Sequence, residues 1–256
     1  DLREPNIRYR HYSGPRLTIG AKRNRLIEEA TGEIIVQFDD DDFYAPHYVS
    51  RMVEALLAND ADLVNLRGWH LYDKRSGFYG YWDLMQKEGL HYRCGWHGLS
   101  IIMLNSSNNG EFADNHLGFG FSYAFRKTAW QSCRFPETDF NEDGEFTLRV
   151  AAQGKVCGVH DTEGICLHVL HPNSTSRCFP QYRLPNFEIA QRFPGYVADL
   201  PAETGSLPDA ARPAAAPRPR PAALAAPPVF LHSSWRSSST WFWSKFRSEE
   251  RRVGTE

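Results

Sequence analysis

An α/β sandwich is the fold class this sequence predicts. Three observations carry that reading: an amphipathic helical pattern ahead of Gly32, a short apolar run at 33–38, and a second amphipathic helix leading into another apolar run at 62–67. In IGAKRNRLIEEATG, the residues Ile19, Arg23, Leu26, Ile27 and Ala30 fall at helical spacing, and Gly32 is placed to end the helix. EIIVQF then reads as a buried parallel strand that stops abruptly at Asp39, Asp40, Asp41 and Asp42. Pro46 stands near the first turn of the next helix, whose apolar face is Val49, Met52, Val53, Leu56 and Leu57, and which returns to the strand DLVNLR. From 68 to 96 the periodicity dissolves into an aromatic, polar stretch, which predicts strand pairs and loops near a binding surface. GLSIIML resumes strand character, and SYAFRKTAW reads as a strand entering a helix. DFNEDGEFTLRVAAQG reads as a loop and a helix ending at Gly154, and KVCGVH and GICLHVL as two last strands before a domain end near 198.

Composition then shifts. Residues 199–228 are dominated by Ala, Pro and Arg and predict a semi-extended linker, because such a segment lacks the apolar side chains that offset ordering entropy. Residues 229–256 begin with a strand-like run, a Ser-rich turn and an aromatic helix start, which predicts the start of a second domain. The whole chain is 41% hydrophobic and 23% charged with a net charge of -2, so no general affinity for nucleic acid or anionic membrane is expected. No run reaches the roughly 18 apolar residues of a membrane span, and nothing in the sequence directs export, so a cytoplasmic location is expected. The five cysteines, Cys94, Cys133, Cys157, Cys166 and Cys178, are odd in number and never spaced C-x-x-C, which reads as free thiols rather than a disulfide framework or zinc site.

Four adjacent carboxylates repel one another unless a cation or hydrogen-bond donors compensate. At the carboxyl end of a buried strand, where open α/β sheets bind ligands, that points to Mg²⁺ or Mn²⁺ bridging to a diphosphate.

The segment IGAKRNRLIEEATGEIIVQFDDDDFYAP resembles the inverting glycosyltransferases of family two, with their A-type fold: an Ala-Arg-Asn helix, a Gly-Glu-Ile strand and an Asp-x-Asp-Asp motif. The resemblance implies a Rossmann-like, mostly parallel sheet flanked by helices, a nucleotide-sugar donor, a hydroxyl acceptor and a hexosyltransferase type of reaction. It places Asp39 on the nucleotide side and Asp41 on the metal, with Asp40 and Asp42 secondary and Arg23 and Asn24 facing the donor. ETDFNEDGEFTLRVAAQG resembles the family's Glu-Asp pair, which implies Asp143 as the general base and Glu142 as the second choice; alternatively, both only favour the helix N-terminus. Arg149 is open between a salt bridge and the diphosphate. LHVLHPNSTS resembles the segment that brings a histidine to the metal, implying His171, with His168 as alternate. The family's usual first strand is not in this sequence, so about fifty further residues of nucleotide-binding half-domain are expected ahead of Asp1.

FLHSSWRSSSTWFW resembles the loop by which sulfotransferases hold 3′-phosphoadenosine-5′-phosphosulfate, implying Arg236, Ser237, Ser239 and Thr240 as phosphosulfate ligands and a second, sulfotransferase activity. It is not a Walker A loop. Two rivals to glycosyl transfer remain at this stage. One is a metal-dependent nucleotidyltransferase or phosphohydrolase. The other is a carbohydrate-binding module built on Tyr79, Tyr81 and Trp82.

Overall fold

The computed structural model describes residues 11–95, 97–112, 115–174, 177–196 and 229–232. The first helix, α1 (Ile19–Glu29), is capped by Thr18, whose hydroxyl oxygen accepts the Ala21 N–H at 3.2 Å. Strand β1 (Ile34–Phe38) follows and is buried along its whole length. Ile34, Val36 and Phe38 pack into one apolar cluster while Ile35 packs into another, so the strand's period of two feeds both faces of the sheet. A strand covered on both sides has no polar face to alternate, which is why the run is apolar but for the buried Gln37.

On one face lies α2 (Tyr48–Ala58), with Met52 and Leu56 against Val36, Val64 and Leu66. β2 (Phe43–Tyr44), β3 (Leu63–Asp73), β4 (Phe78–Asp83), β5 (Gly89–Arg93), β6 (Ser100–Leu104) and β7 (Ala124–Arg126) come before α3 (Lys127–Ser132) and α4 (Glu142–Gln153). On the other face Ile27 of α1, Trp130 of α3 and Phe146 of α4 cover Ile35, Leu63 and Phe125. β8 (Val156–His160), β9 (Cys166–Leu170), β10 (Tyr182–Arg183), α5 (Phe187–Arg192) and β11 (Val229–His232) complete the described elements.

The main sheet runs β10-β4-β3-β7-β1-β11, with β8 and β9 also beside β3 and β2 beside β9. The expectation of a mostly parallel sheet is corrected: only β1 with β11, and β3 with β8 and with β9, pair in parallel, and the sheet is mostly antiparallel. Two features cause this. β7 enters between β1 and β3 running the other way, with Phe125 opposite both Ile35 and Leu63. β3 also folds straight back on β4 through a tight turn, where the Asp73 carboxylate accepts from Arg75 N, Arg75 Nε and Ser76 Oγ, and Gly77 takes φ +64°.

That hairpin supplies strand pairing of the kind expected in 68–96. Trp69, Tyr79 and Trp82 are buried, and Trp69 makes edge contacts with Trp82, Phe119 and Phe121 at 5.2–5.4 Å between ring centroids. Two of the three aromatics on which a carbohydrate-binding module would be built, Tyr79 and Trp82, are thus core, while Tyr81 is half-buried. β5 and β6 form a separate two-stranded sheet.

Val229–His232 pairs in parallel with β1, Ile35 opposite Val229 and Phe38 opposite His232. The linker at 199–228 and the residues after His232, including Arg236, Ser237, Ser239 and Thr240, lie outside the described residues. Among the described residues no helix is long and apolar enough to cross a membrane.

Candidate active site

The acidic run leaves the end of β1 in a turn held by Tyr44, whose hydroxyl oxygen accepts the Asp39 N–H at 3.0 Å and donates to Phe121 O at 2.8 Å. This turn gathers carboxylate oxygens of Asp39, Asp41 and Asp42 within 4.8 Å of one another. Asp40 is outside that group.

Asp42 forms the floor. It accepts the Val169 N–H at 2.8 Å and faces His168 Nδ1 at 2.8 Å, while the imidazole stacks on Phe121 at 4.5 Å. Burial disfavours charge on the His168 ring, but the Asp42 carboxylate outweighs it and holds the imidazole's pKa well above its usual value. Burial pushes the Asp42 carboxyl up against the pull of His168, and Asp42 spends its oxygens inward.

Asp41, more exposed, meets His171 Nε2 at 2.9 Å. His171 Nδ1 accepts the Asn173 N–H at 3.1 Å and its backbone N–H donates to Ser174 Oγ at 2.9 Å. With Nδ1 accepting, the ring proton sits on Nε2 and points at Asp41.

Asp39 faces the other way, toward Arg23, whose Nη2 lies 3.9 Å from Asp39 Oδ1 and whose Nη1 lies 2.7 Å from Glu142 Oε1. Arg23 reaches there because α1 packs backbone to backbone on the segment before α4: Gly20 N–H donates to Thr138 O at 3.2 Å, and a Cβ on Gly20 would collide with Pro136 O. Burial works against the Arg23 charge, yet the carboxylates of Asp39, Asp143 and Glu142 more than offset it and raise its pKa. Burial pushes the Asp39 carboxyl up to about 7 against the pull of Arg23, with Asp42 and Asp41 adding to the push. The Asp39 side chain is still 36% exposed, so water tempers that effect.

Asn141, in the left-handed region at φ 59°, turns the chain so that α4 begins at the site. Glu142 is buried on Arg23, and burial pushes its carboxyl up while Arg23 opposes. Asp143 takes one backbone N–H on each oxygen, Gly120 N on Oδ2 and Gly144 N on Oδ1, both at 2.8 Å. Gly120 has to be a glycine: a Cβ there would stand 2.9 Å from both Arg23 Nη1 and Asp143 Cβ.

Of the residues predicted from sequence, the structure thus brings Arg23, Asp39, Asp41, His171, Glu142 and Asp143 into one connected patch. It does not bring Asn24 there. The Asn24 amide donates to Phe135 O and accepts from Trp130 Nε1 and Phe135 N, which makes it a buried brace between α1 and α3. Arg149 pairs with Glu145 on α4 and takes no part. Sequence reasoning missed Tyr44, Phe121 and Gly120; the glycines around Phe119 were the available signal, since close glycines mark a place where backbone and side chain must approach.

The donors suit a hard cation. Asp39 and Asp41 present carboxylate oxygens, the group Mg²⁺ and Mn²⁺ prefer, and adding the His171 nitrogen favours Mn²⁺ of the two. Holding a cation through Nε2 requires the ring proton now aimed at Asp41 to leave.

Residues 1–102 match the family model Glycosyl transferase family 2. The matched segment carries α1, β1, the acidic run and β3 to β5, and stops before Asp143 and His171. It supports a glycosyltransferase, and the mixed α/β architecture is consistent with an A-type domain. No curated protein matches the chain.

Proposed function

We propose that this chain moves a sugar from a nucleotide-diphosphate donor to an acceptor hydroxyl, with inversion at the anomeric carbon and with help from Mn²⁺ or Mg²⁺. The observation that carries this reading is the carboxylate group of Asp39, Asp41 and Asp42 set beside the Arg23–Glu142 pair and Asp143. Asp39 and Asp41, with His171, would hold the cation, which supplies charge stabilisation to a leaving diphosphate. Arg23 lies between Asp39 and Glu142, 3.9 Å from the one and paired with the other, and would keep both carboxylates oriented. Asp143 uses one lone pair of each oxygen on Gly120 and Gly144, which orients the carboxylate and leaves lone pairs to take the acceptor's proton. Glu142, committed to Arg23, is a positioning group in this scheme.

The test is incubation of the full chain with labelled nucleotide sugars, Mn²⁺ and a panel of hydroxyl acceptors, followed by analysis of the anomeric configuration of the product. Transfer with inversion supports the reading. Release of pyrophosphate, or of phosphate without sugar transfer, refutes it in favour of nucleotidyl transfer or phosphate ester hydrolysis.

A further inference from the structure

Cys94 and Cys178 stand directly opposite each other in an isolated antiparallel bridge and exchange both backbone hydrogen bonds, Cys94 N–H to Cys178 O at 2.9 Å and Cys178 N–H to Cys94 O at 3.1 Å. Residues paired in this way have Cα atoms about 5.5 Å apart, inside the roughly 4.4–6.8 Å that a disulfide spans. Their side chains leave the same face of the bridge with Cβ atoms about 4.5–5.5 Å apart, toward the wider end for a hydrogen-bonded pair, which is up to about an ångström beyond the range a disulfide spans. Closing it therefore draws the two segments together slightly. Both thiols are free and buried, and no other described cysteine has a cysteine as its cross-strand partner: Cys133 follows α3, Cys157 faces Val64 and Cys166 faces Tyr44.

We propose that Cys94 and Cys178 are a disulfide-forming pair that, in an oxidising medium, ties the end of β5 to the segment following His171. The oxidant is a low-molecular-weight disulfide such as oxidised glutathione. One cysteine thiolate attacks it, forming a mixed disulfide and expelling one small thiol; the second cysteine sulfur displaces the other small thiol. Two S–H bonds and one S–S bond are consumed, one protein S–S bond is formed, and the two protons leave on the two released thiols.

Where the bond falls gives it a consequence. His168, the partner of Asp42, also interacts with the Cys178 sulfur. His171 begins the turn closed by Ser174, which the chain leaves on its way to Cys178. The bond would thus fasten the chain that carries both histidines to β5. Burial pushes the Cys94 thiol far up, so the closed protein exchanges slowly and the bond forms as the bridge opens or as the chain folds. Arg75, whose Nη1 and Nη2 are buried without a hydrogen-bond partner, favours the Cys94 thiolate and works against that push.

The experiment refolds the full chain in a glutathione redox buffer and, separately, in excess reductant, then alkylates free thiols and maps the peptides by mass spectrometry. The expected result is one pair of peptides joined through Cys94 and Cys178, separated by reduction, with Cys133, Cys157 and Cys166 alkylated. The oxidised chain should also melt roughly 5–10 °C higher, since the bond closes a loop of roughly 85 residues. If refolding fails, natively purified protein is held with oxidised glutathione in sub-denaturing urea and mapped in the same way. Alkyl groups on both Cys94 and Cys178 after oxidation, or either one linked to a different cysteine, would overturn the proposal.

Discussion

Arg23 Nη1 and Glu142 Oε1 lie 2.7 Å apart, with side chains only 9% and 7% exposed, and join α1 to the first turn of α4 across the floor of the candidate site. A buried pair of this kind adds little net stability, but removing one partner strands the other charge out of water, at a cost of about 3–5 kcal/mol. Arg23→Met should therefore destabilise the chain by about that amount, and Arg23→Met with Glu142→Met should recover most of the loss. The deficit has a pH signature. Burial already raises the Glu142 carboxyl, and without Arg23 it rises further, so the folded chain holds a proton that the unfolded chain releases above the ordinary carboxylate range. The single variant should lose stability as pH rises through that range and regain it in acid. Urea unfolding of both variants at pH 4 and pH 7 measures this, and a single variant within 1 kcal/mol of the parent at pH 7 would contradict it.

Gly120 makes a second, sharper demand. A methyl group at this position meets Arg23 and Asp143 at 2.9 Å, and Gly120 N–H is also the donor that fixes Asp143 Oδ2. Gly120→Ala should cost about 1–3 kcal/mol in overpacking while displacing the Asp143 carboxylate. If Asp143 is the base, transfer should fall at least about tenfold with Mn²⁺ affinity unchanged, because a small misplacement of a reacting group is felt directly in rate. Parent-like turnover in a folded Gly120→Ala chain would separate Asp143 from the chemistry.

Much of this arrangement was legible in the sequence. The run 33–38 had to be a strand covered on both faces because it alternates nothing, and Ile34 and Ile35 do pack into different clusters. The acidic turn at its end followed from the abrupt change at Asp39. What escaped were long-range pairings. Nothing local in Ala124, Phe125 and Arg126 announces that they run antiparallel between β1 and β3, so the direction of the sheet was misread. Asn24 sits one residue from Arg23 and shares its resemblance to a donor-binding residue, but one step along a helix turns a side chain by about 100°, and here that step carries it to Phe135 and Trp130. The aromatics of 69–82 gave a composition without a face, and only the β3–β4 register shows which of them point inward.

The acidic group predicts a graded response to Mn²⁺. Asp41 is the more exposed carboxylate, with His171 at 2.9 Å, whereas Asp42 is occupied by His168 and Val169. Asp41→Asn should weaken Mn²⁺ binding by roughly 100-fold and His171→Gln by roughly 10-fold, since loss of even a group that only supports a metal site commonly costs about 10–100-fold. Asp40→Asn, outside the group, should have the smallest effect. Titration of free Mn²⁺ by electron paramagnetic resonance reads all three, and an Asp40 variant weaker than the Asp41 variant would reverse the assignment.

His70 predicts how the whole fold responds to acid. It is 3% exposed, its Nδ1 lies 2.9 Å from the Tyr79 hydroxyl, and the rings of Tyr79, Tyr81 and Phe193 surround it. Burial, with Arg192 adding, pushes its pKa from 6.5 down to about 3. Between those values the unfolded chain binds a proton at this ring and the folded chain does not, so stability rises with pH across the window and is lost as pH falls below 6.5. At pH 4.5 the loss from this one group amounts to about 2–3 kcal/mol. Carboxylates titrate in the same range, so the measurement is a difference: unfolding free energy of the parent against His70→Gln, which keeps a hydrogen-bonding group beside Tyr79 but does not titrate. The parent's advantage over the variant should shrink steadily from pH 7 to pH 4.5. A difference that stays flat across that interval would mean that the folded chain accepts the proton at His70 as readily as the unfolded one.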